Sequence, residues 1–322
     1  MLSVGPARVN ISYNRVMSTL PSSLTRLKGS VGVWTGAHEL VAPTQHAGVA
    51  GELEALGYSA LWFPESWGRE SLTSASLLLS ATSTLTVATG ITNIWGRDAV
   101  ASVNAARTLN ATFDERFVLG LGVSHQPLVE RLRGHEYLSP LENMRDYLLA
   151  MDKAPMHAFE AEQPYVRVIA ALGPKMLALG AELADGVHTY LVDVEHTAFA
   201  RAIISDRFLN VEQAVVLAQS REEFLRRAHA HLEFYTGLEN YRSNWRRMGF
   251  GPEDYVRGGS ERLCDAMVVH GDADVVAQRV SEHFAAGADH VCLQVLGPDP
   301  HVPPHEDWRL VAEGLGQGLA PV

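Results

Sequence analysis

Cysteine, basic residues and long apolar runs are all scarce in this chain, and each shortage argues against a class of protein. The 322 residues include 2 cysteines, Cys264 and Cys292, which lack metal-ligand spacing and stand in apolar surroundings, so we expect buried thiols in a reducing cytoplasm. Lys and Arg number 26 against 37 Asp and Glu, and the net charge of -11 argues against a nucleic-acid or anionic-membrane partner. No apolar run reaches the roughly 18 residues that a membrane-spanning helix needs. We therefore expect a cytoplasmic protein that acts on a small molecule.

Residues 1–29 show no regular hydrophobic pattern. They are rich in Ser, Pro and Arg, and they lack the continuous apolar segment and the small-residue cleavage site of a signal peptide. We predict a flexible or irregularly packed N-terminal extension over residues 1–29, with a partner-binding arm as the alternative, and a single domain over residues 30–322.

From Val31 onward, strand patterns alternate with helix patterns. The predicted strands are 31–34, 58–63, 85–91, 117–123, 166–172, 187–191, 211–218 and 290–296. The predicted helices are 43–56, 72–80, 99–112, 141–151, 174–184 and 273–286, with a long basic helical region over 222–247. Eight such repeats form parallel βαβ units and close a (β/α)₈ TIM barrel, an α/β fold. Residues 219–270 are too long for one crossover and predict a helical excursion that covers one barrel mouth or joins a dimer interface.

In such a barrel, the carboxyl ends of the strands meet at one mouth, where catalytic residues sit. The fourth strand, R-F-V-L-G-L-G-V-S-H (116–125), brings Ser124 and His125 there. Because His125 stands where a dinucleotide fingerprint needs its third glycine, the segment argues against a nicotinamide Rossmann site. Other strand ends supply mainly aromatic and uncharged polar side chains: Trp34, Thr35, Ser66, Trp67, Thr89, Asn93 and Trp95. This mouth suits a large planar ligand, and its few carboxylates are too sparse for a metal site.

The segment A-A-L-G-P-K-M (170–176) joins the fifth strand to a helix that begins at Pro174. Unpaired backbone N–H groups and the positive end of a helix bind phosphate. Lys175 either adds a charge there or points to bulk solvent. The same junction also occurs as simple turn chemistry.

The chain resembles the bacterial luciferase-like superfamily and, within it, the oxidoreductases that use the deazaflavin coenzyme F420. The segments that carry the resemblance are V-G-V-W-T-G (31–36), L-W-F-P-E-S (61–66), V-A-T-G-I-T-N-I-W (87–95), R-F-V-L-G-L-G-V-S-H (116–125), A-A-L-G-P-K-M (170–176) and G-A-D-H-V-C-L-Q-V-L (287–296). The resemblance implies a luciferase-like barrel with helical insertions, a homodimer, and a non-prolyl cis peptide at Gly90–Ile91.

The resemblance also implies the site residues. The expected cofactor-binding set is Thr35, Ser66, Thr89, Gly90, Ile91, Asn93, Val123, Ser124, Ala171, Leu172, Gly173, Pro174, Lys175 and Met176. The ring is expected against Thr89–Ile91, and the phosphate at Leu172–Met176. His125 and Glu65 are the candidate catalytic residues. His125 is a candidate acid or base because imidazole titrates near physiological pH, or it only forms hydrogen bonds. Glu65 either orients a ring edge or is a structural carboxylate.

One departure limits the analogy. Relatives of the glucose-6-phosphate dehydrogenase type carry an Asp-His pair after strand two and a Glu after strand four. This chain has Glu65-Ser66 and His125 at those positions, so the substrate of that subfamily does not carry over.

The sequence therefore predicts an oxidoreductase that transfers a hydride between coenzyme F420 and a small organic substrate. Three alternatives stay open: an FMN-dependent luciferase-like monooxygenase, a non-catalytic cofactor-binding barrel, and a non-redox barrel enzyme such as an aldolase, in which Lys175 would be the nucleophile. The Trp-rich mouth favours an apolar or aromatic substrate such as an aldehyde, ketone or enone.

Overall fold

Eight parallel strands close into a barrel in the computed structural model, which describes residues 20–42, 44–66, 68–155, 158 and 161–316. The strands are β1 Ser30–Trp34, β2 Ala60–Phe63, β3 Thr86–Thr89, β4 Thr92–Asn93, β5 Phe117–Gly122, β6 Val166–Ala170, β7 Gly186–Thr189, β8 Phe208–Val216, β9 Val268–His270 and β10 His290–Val295. The barrel order is β1-β2-β3-β5-β6-β7-β8-β10, and β10 pairs with both β8 and β1, which closes the ring. Short strands β4 and β9 pair with β5 and β8. This confirms the predicted (β/α)₈ TIM barrel.

Helices surround the barrel and follow most of its strands. They are α1 Ser22–Thr25, α2 His46–Ala55, α3 Ser71–Ser80, α4 Ala99–Thr112, α5 Pro140–Asp152, α6 Pro174–Leu183, α7 Val194–Ile204, α8 Arg221–Tyr235, α9 Glu239–Arg247, α10 Glu261–Met267, α11 Ala273–Ala285 and α12 His305–Leu315. The single helical region predicted over 222–247 is wrong in one respect, because α8 ends at Tyr235 and α9 begins at Glu239. Within the described residues, no helix is long and apolar enough to cross a membrane.

The third barrel strand is shorter than predicted. It ends at Thr89, the Gly90–Ile91 peptide bond is cis as the resemblance implied, and the chain resumes as β4. The bulge stays tied to β2, because the Gly90 N–H donates to the Phe63 carbonyl (2.7 Å) and the Glu65 N–H donates to the Ile91 carbonyl (3.0 Å). The backbone of this segment is therefore held at the barrel mouth.

Residues 20–29 pack against the barrel, so for this part the structure supports the irregularly packed extension and not the flexible one. Leu24 and Leu27 are fully buried in the same cluster as Phe208, inside the barrel. The Leu27 carbonyl also lies 3.2 Å from Nδ1 of His290 at the start of β10. Because the strands begin here, α1 covers the N-terminal end of the barrel. Residues 1–19, the rest of the predicted extension, lie outside the described residues.

The excursion over 219–270 packs on the opposite end. It has its own core, in which Phe224, Leu232 and Trp245 are fully buried. The Trp245 indole donates to the carbonyl of Leu191 (3.2 Å), just beyond the end of β7. Of the two roles predicted for this segment, covering one barrel mouth is confirmed, while joining a dimer interface stays a prediction. The same core includes Cys264, while Cys292 lies inside the barrel, and both are buried free thiols as predicted.

Candidate active site

Trp34 and Gly90 form the floor of the mouth. The Trp34 indole donates to the Gly90 carbonyl (3.0 Å). A Cβ on Gly90 would lie 2.8 Å from Trp34 Nε1 and 3.3 Å from His188 Nε2, so only glycine fits here without moving either ring. The next residue, Ile91, lies against Gly122, where a Cβ would come 2.3 Å from the Ile91 side chain. Glycines thus let three strand ends approach each other closely.

Thr89 and Gly120 are locked together by two hydrogen bonds. The Thr89 hydroxyl donates to the Gly120 carbonyl (2.8 Å) and accepts from the Gly120 N–H (2.9 Å). Because this hydroxyl is fully buried and doubly bonded, Thr89 joins β3 to β5 and offers a ligand nothing from its side chain. Thr35 is similar, since its hydroxyl accepts from the Ala37 N–H (2.9 Å).

Glu65 is held by an ion pair and by backbone donors. Both of its oxygens bond Arg97, and Oε2 also accepts from the Asn93 N–H (2.8 Å). Burial would lower the pKa of Arg97, but the charges and hydrogen bonds of Glu65 and Glu70 outweigh it and raise that pKa. This arrangement favours the structural interpretation of Glu65, because its carboxylate links the β2 loop to β4.

Asn93 and Trp95 continue this scaffold toward β5. The Asn93 side chain accepts from the Trp95 N–H (2.9 Å), and the Trp95 indole donates to the Val123 carbonyl (2.9 Å). Ser124 follows with a left-handed backbone (φ 56°), which turns the chain as it leaves β5. Ser66, by contrast, is exposed.

His125 lies beneath helices α8 and α9, which cover the barrel mouth. Its ring is 5.9 Å from those of Phe234 on α8 and Tyr241 on α9. Burial lowers the pKa of His125 to about 4, while a hydrogen bond with Asn240 acts in the opposite direction. At pH 7 this imidazole is therefore neutral, which suits a base or a hydrogen-bonding group better than an acid.

The beginning of α6 offers donors to an anion. No side chain among the described residues caps this helix, and the Gly173 carbonyl already accepts from the N–H groups of Met176 and Leu177, which fixes the turn. Lys175 and Pro174 are exposed at its surface. The segment is anchored beneath, where the Ala171 N–H donates to the carbonyl of His188 (3.1 Å) and His196 Nε2 lies 2.8 Å from the Leu172 carbonyl.

Arg247, which the sequence analysis missed, lies beside this helix start. Its Nη2 is 3.3 Å from the position of a Cβ on Gly173, and it also donates to Asn244 (2.9 Å). Among the described residues it forms no ion pair, and burial together with Arg246 lowers its pKa. A cation without a carboxylate next to a positive helix end is favourable when an anion lies between them. In the sequence this residue belongs to a mixed-charge helix, which gives no signal of the contact.

An aromatic wall lines the side of the mouth opposite Gly90. Tyr190, just after β7, lies 5.1 Å from Trp34 between ring centroids, and its hydroxyl bonds Tyr235 (2.9 Å) and Gln294 (2.7 Å). Tyr241 packs edge-on against Tyr235 at 4.9 Å. The sequence placed Tyr190 at a strand end but gave no reason to bring α8 and α9 to it. The described residues contain no cluster suited to a metal ion.

Comparisons with known proteins agree with this fold. The profile of the luciferase-like monooxygenase family matches residues 25–290, so the chain belongs to that family. A Mycobacterium tuberculosis protein provisionally named a coenzyme F420-dependent oxidoreductase is 27% identical over 188 residues, which cover 48% of this chain and 54% of that protein. The chain thus spans about half the length of this relative.

Solved structures extend the likeness of the fold to nearly the whole chain. An F420-dependent secondary alcohol dehydrogenase, solved with an F420-acetone adduct, has a TM-score of 0.69 at 13% identity and covers 90% of this chain and 99% of its own. The oxygenating constituent of 3,6-diketocamphane monooxygenase from Pseudomonas putida, solved with FMN, has a TM-score of 0.65 at 13% identity, covering 91% and 99%. The same fold therefore serves a deazaflavin in one neighbour and a flavin in the other.

Proposed function

We propose that this protein is an oxidoreductase that binds coenzyme F420 at the barrel mouth and transfers a hydride between it and a small organic substrate. The observation that carries the proposal is the uncapped start of α6 with Arg247 beside it, on the same end of the barrel as the Gly90–Ile91 bulge. The first supplies donors and charge for a phosphate, and the second supplies a close-packed backbone for a planar ring.

The residues present fit such a coenzyme. Backbone donors of Gly173 and Lys175, with the Arg247 guanidinium, would hold its phosphate, and Gly90, Ile91 and Val123 would support its ring. When bound, a deazaflavin supplies a two-electron hydride carrier. The chain's own part is to exclude water under α8 and α9, and to orient the substrate beside a neutral His125.

The name of the mycobacterial relative supports a deazaflavin. The fold neighbour solved with FMN supports a second candidate function, a flavin-dependent monooxygenase on the same site. The proposed phosphate site would serve either cofactor, so the choice between F420 and FMN depends on how the ring is bound.

Titration of the purified protein with coenzyme F420 and, separately, with FMN, followed by fluorescence, tests the proposal. We expect micromolar or tighter binding of the deazaflavin and weaker binding of FMN. The reverse order would favour the monooxygenase, and binding of neither would contradict the site. The homodimer and the cytoplasmic location stay predictions, and light scattering tests the first.

A further inference from the structure

A carboxyl group lies inside the barrel, just below the mouth. Glu212 stands on β8 in register with Cys292 of β10, and its side chain is 1% exposed. Its Oε2 accepts from the N–H of Leu191 (3.0 Å), beyond the C-terminal end of β7. The carboxyl group therefore reaches from the middle of the barrel to the level of the mouth.

The other oxygen of Glu212 has no partner. Oε1 is buried without a hydrogen bond to any described residue. The groups that face the carboxyl are Tyr190 just after β7, Tyr235 on α8, Tyr241 on α9 and Cys292. Burial raises the pKa of each of them, and a charge on Glu212 would raise it further. Because a buried polar atom without a partner is costly, an unsatisfied oxygen here points to a ligand or water that completes it.

Glu212 lies on the opposite side of the barrel from the Gly90–Ile91 bulge. In the barrel order, β8 lies four strands from β3 in either direction, so the two are diametrically opposite. The Gly90–Ile91 bulge and the unpartnered oxygen of Glu212 therefore face each other across the barrel. If Gly90 and Ile91 support the coenzyme, a substrate beside it would lie on the side of Glu212.

We propose that Glu212 is a buried carboxylic acid whose Oε1 donates a hydrogen bond to the substrate, and that the site takes a neutral, flat, apolar compound with a carbonyl oxygen. This inference rests on the proposed function, because it takes the barrel mouth as the substrate site. Burial raises the pKa of Glu212 to about 8, although the Leu191 N–H acts in the opposite direction. A carboxyl group that keeps its proton at pH 7 can donate to a carbonyl, as an ionised one cannot.

The surroundings favour a neutral ligand. The groups around Glu212 are tyrosines and a thiol, and burial lowers the pKa of His125 and of His231 to about 4. These imidazoles are uncharged at neutral pH, so neither of them offers a cation to an anionic substrate. The rings of Trp34 and Tyr190 would instead stack on a flat body.

The test uses para-dimethylaminocinnamaldehyde, an aromatic aldehyde whose absorption moves to longer wavelength when its carbonyl accepts a hydrogen bond. The dye is added to the full-length protein with and without coenzyme F420, and free dye is measured at each pH. We expect a red shift at neutral pH that reverses as pH rises through about 8, where Glu212 ionises. The corresponding cinnamate should bind at least about tenfold more weakly, which is the effect of roughly 1.4 kcal/mol.

Two variants assign the effect to Glu212. Glu212→Gln keeps an acceptor for Leu191 and a neutral donor at the other position, so its red shift should persist above pH 8. Glu212→Ala should show no shift, with circular dichroism as the check of its fold. If the alanine variant does not fold, the pH dependence of the red shift in wild type and in Glu212→Gln still shows whether Glu212 is the donor.

Three outcomes would overturn the inference: no binding of the dye, a wild-type shift that ignores pH, or an unchanged shift in a folded Glu212→Ala variant. The proposed function fails separately, in the coenzyme titration. If the protein shifts the dye spectrum but binds neither F420 nor FMN, the role of Glu212 as a buried acid is supported and the proposed redox function is contradicted.

Discussion

The Trp34 indole donates to the Gly90 carbonyl over 3.0 Å and covers the place where any other residue at position 90 would carry its Cβ. One hydrogen bond thus joins the first barrel strand to the bulge that follows the third. The contact makes the shape of the mouth sensitive to a single methyl group.

Gly90→Ala should weaken coenzyme binding and lower stability, because the new Cβ would come 2.8 Å from Trp34 Nε1 and overpacking typically costs about 1–3 kcal/mol. The matched control is Gly48→Ala on α2, where a Cβ meets nothing within 4 Å. Urea denaturation and fluorescence titration measure both effects. Equal stability and affinity in the two variants would contradict this account of the bulge.

Arg247→Met should weaken binding of both F420 and FMN by about tenfold or more, since a hydrogen bond to a charged group contributes roughly 1.5–3 kcal/mol. Riboflavin lacks the phosphate, so its affinity should hardly change. Arg246→Met is the control, because Arg246 is exposed and pairs with Glu239 (3.6 Å). An equal loss for riboflavin and FMN would show that Arg247 does not act through the phosphate.

Glu65→Gln should lower the free energy of unfolding by roughly 2–3 kcal/mol, because it breaks a largely buried pair with Arg97 and leaves that cation with less compensation. Glu182→Gln, which breaks an exposed pair with Arg145, should have little effect. If Glu65 moves a proton instead, the variant should lose turnover while its stability stays that of the wild type.

Acid should destabilise this protein before its carboxylates titrate. Burial lowers the pKa to about 4 in His46, His125, His231 and His290, and to about 3 in His188 and His283. Unfolded histidines bind protons near pH 6.5 and these folded ones do not. Their stabilisation is therefore complete above pH 6.5 and is lost as pH falls toward 4.

Denaturation curves across this pH range measure that slope. His283→Gln should reduce that slope by up to one proton, about 1.4 kcal/mol per pH unit. A wild-type slope near zero between pH 6 and 5 would contradict the burial of these imidazoles.

Glu212 should make the folding stability depend on pH in the opposite direction from the histidines, so that stability falls as pH rises. Its folded pKa of about 8 exceeds the ordinary value of 4.5, so the folded state holds a proton that the unfolded state has released. Stability should fall as pH rises from 4.5 to 8, and Glu212→Gln should remove that fall. Identical alkaline profiles for the variant and the wild type would show that Glu212 is already ionised in the folded protein.

Local patterns predicted the elements whose apolar residues repeat regularly. Residues 99–112 are a helix as expected, and each barrel strand overlaps its predicted segment. Helices α7 and α12 were not predicted, because their buried faces are too short to give a clear period. In α12 the decisive residue is Trp308, which is fully buried. Its carbonyl accepts a hydrogen bond (2.8 Å) from the hydroxyl of Tyr58, which lies 250 residues earlier in the sequence. Such a contact leaves no local period in the sequence.

The sequence by itself determined the barrel, because strand and helix periods are local and eight repeats of them close only in a few ways. It also determined that Gly90, Ser124 and His125 stand at strand ends. The tertiary structure decided what those groups can do. Burial under α8 and α9 makes His125 neutral. The ion pair with Arg97 ties the Glu65 carboxylate into the scaffold. The pairing of β8 with β10 places an unpartnered Glu212 oxygen below the mouth. Burial and hydrogen bonding set a group's proton affinity, and both depend on residues far away along the chain.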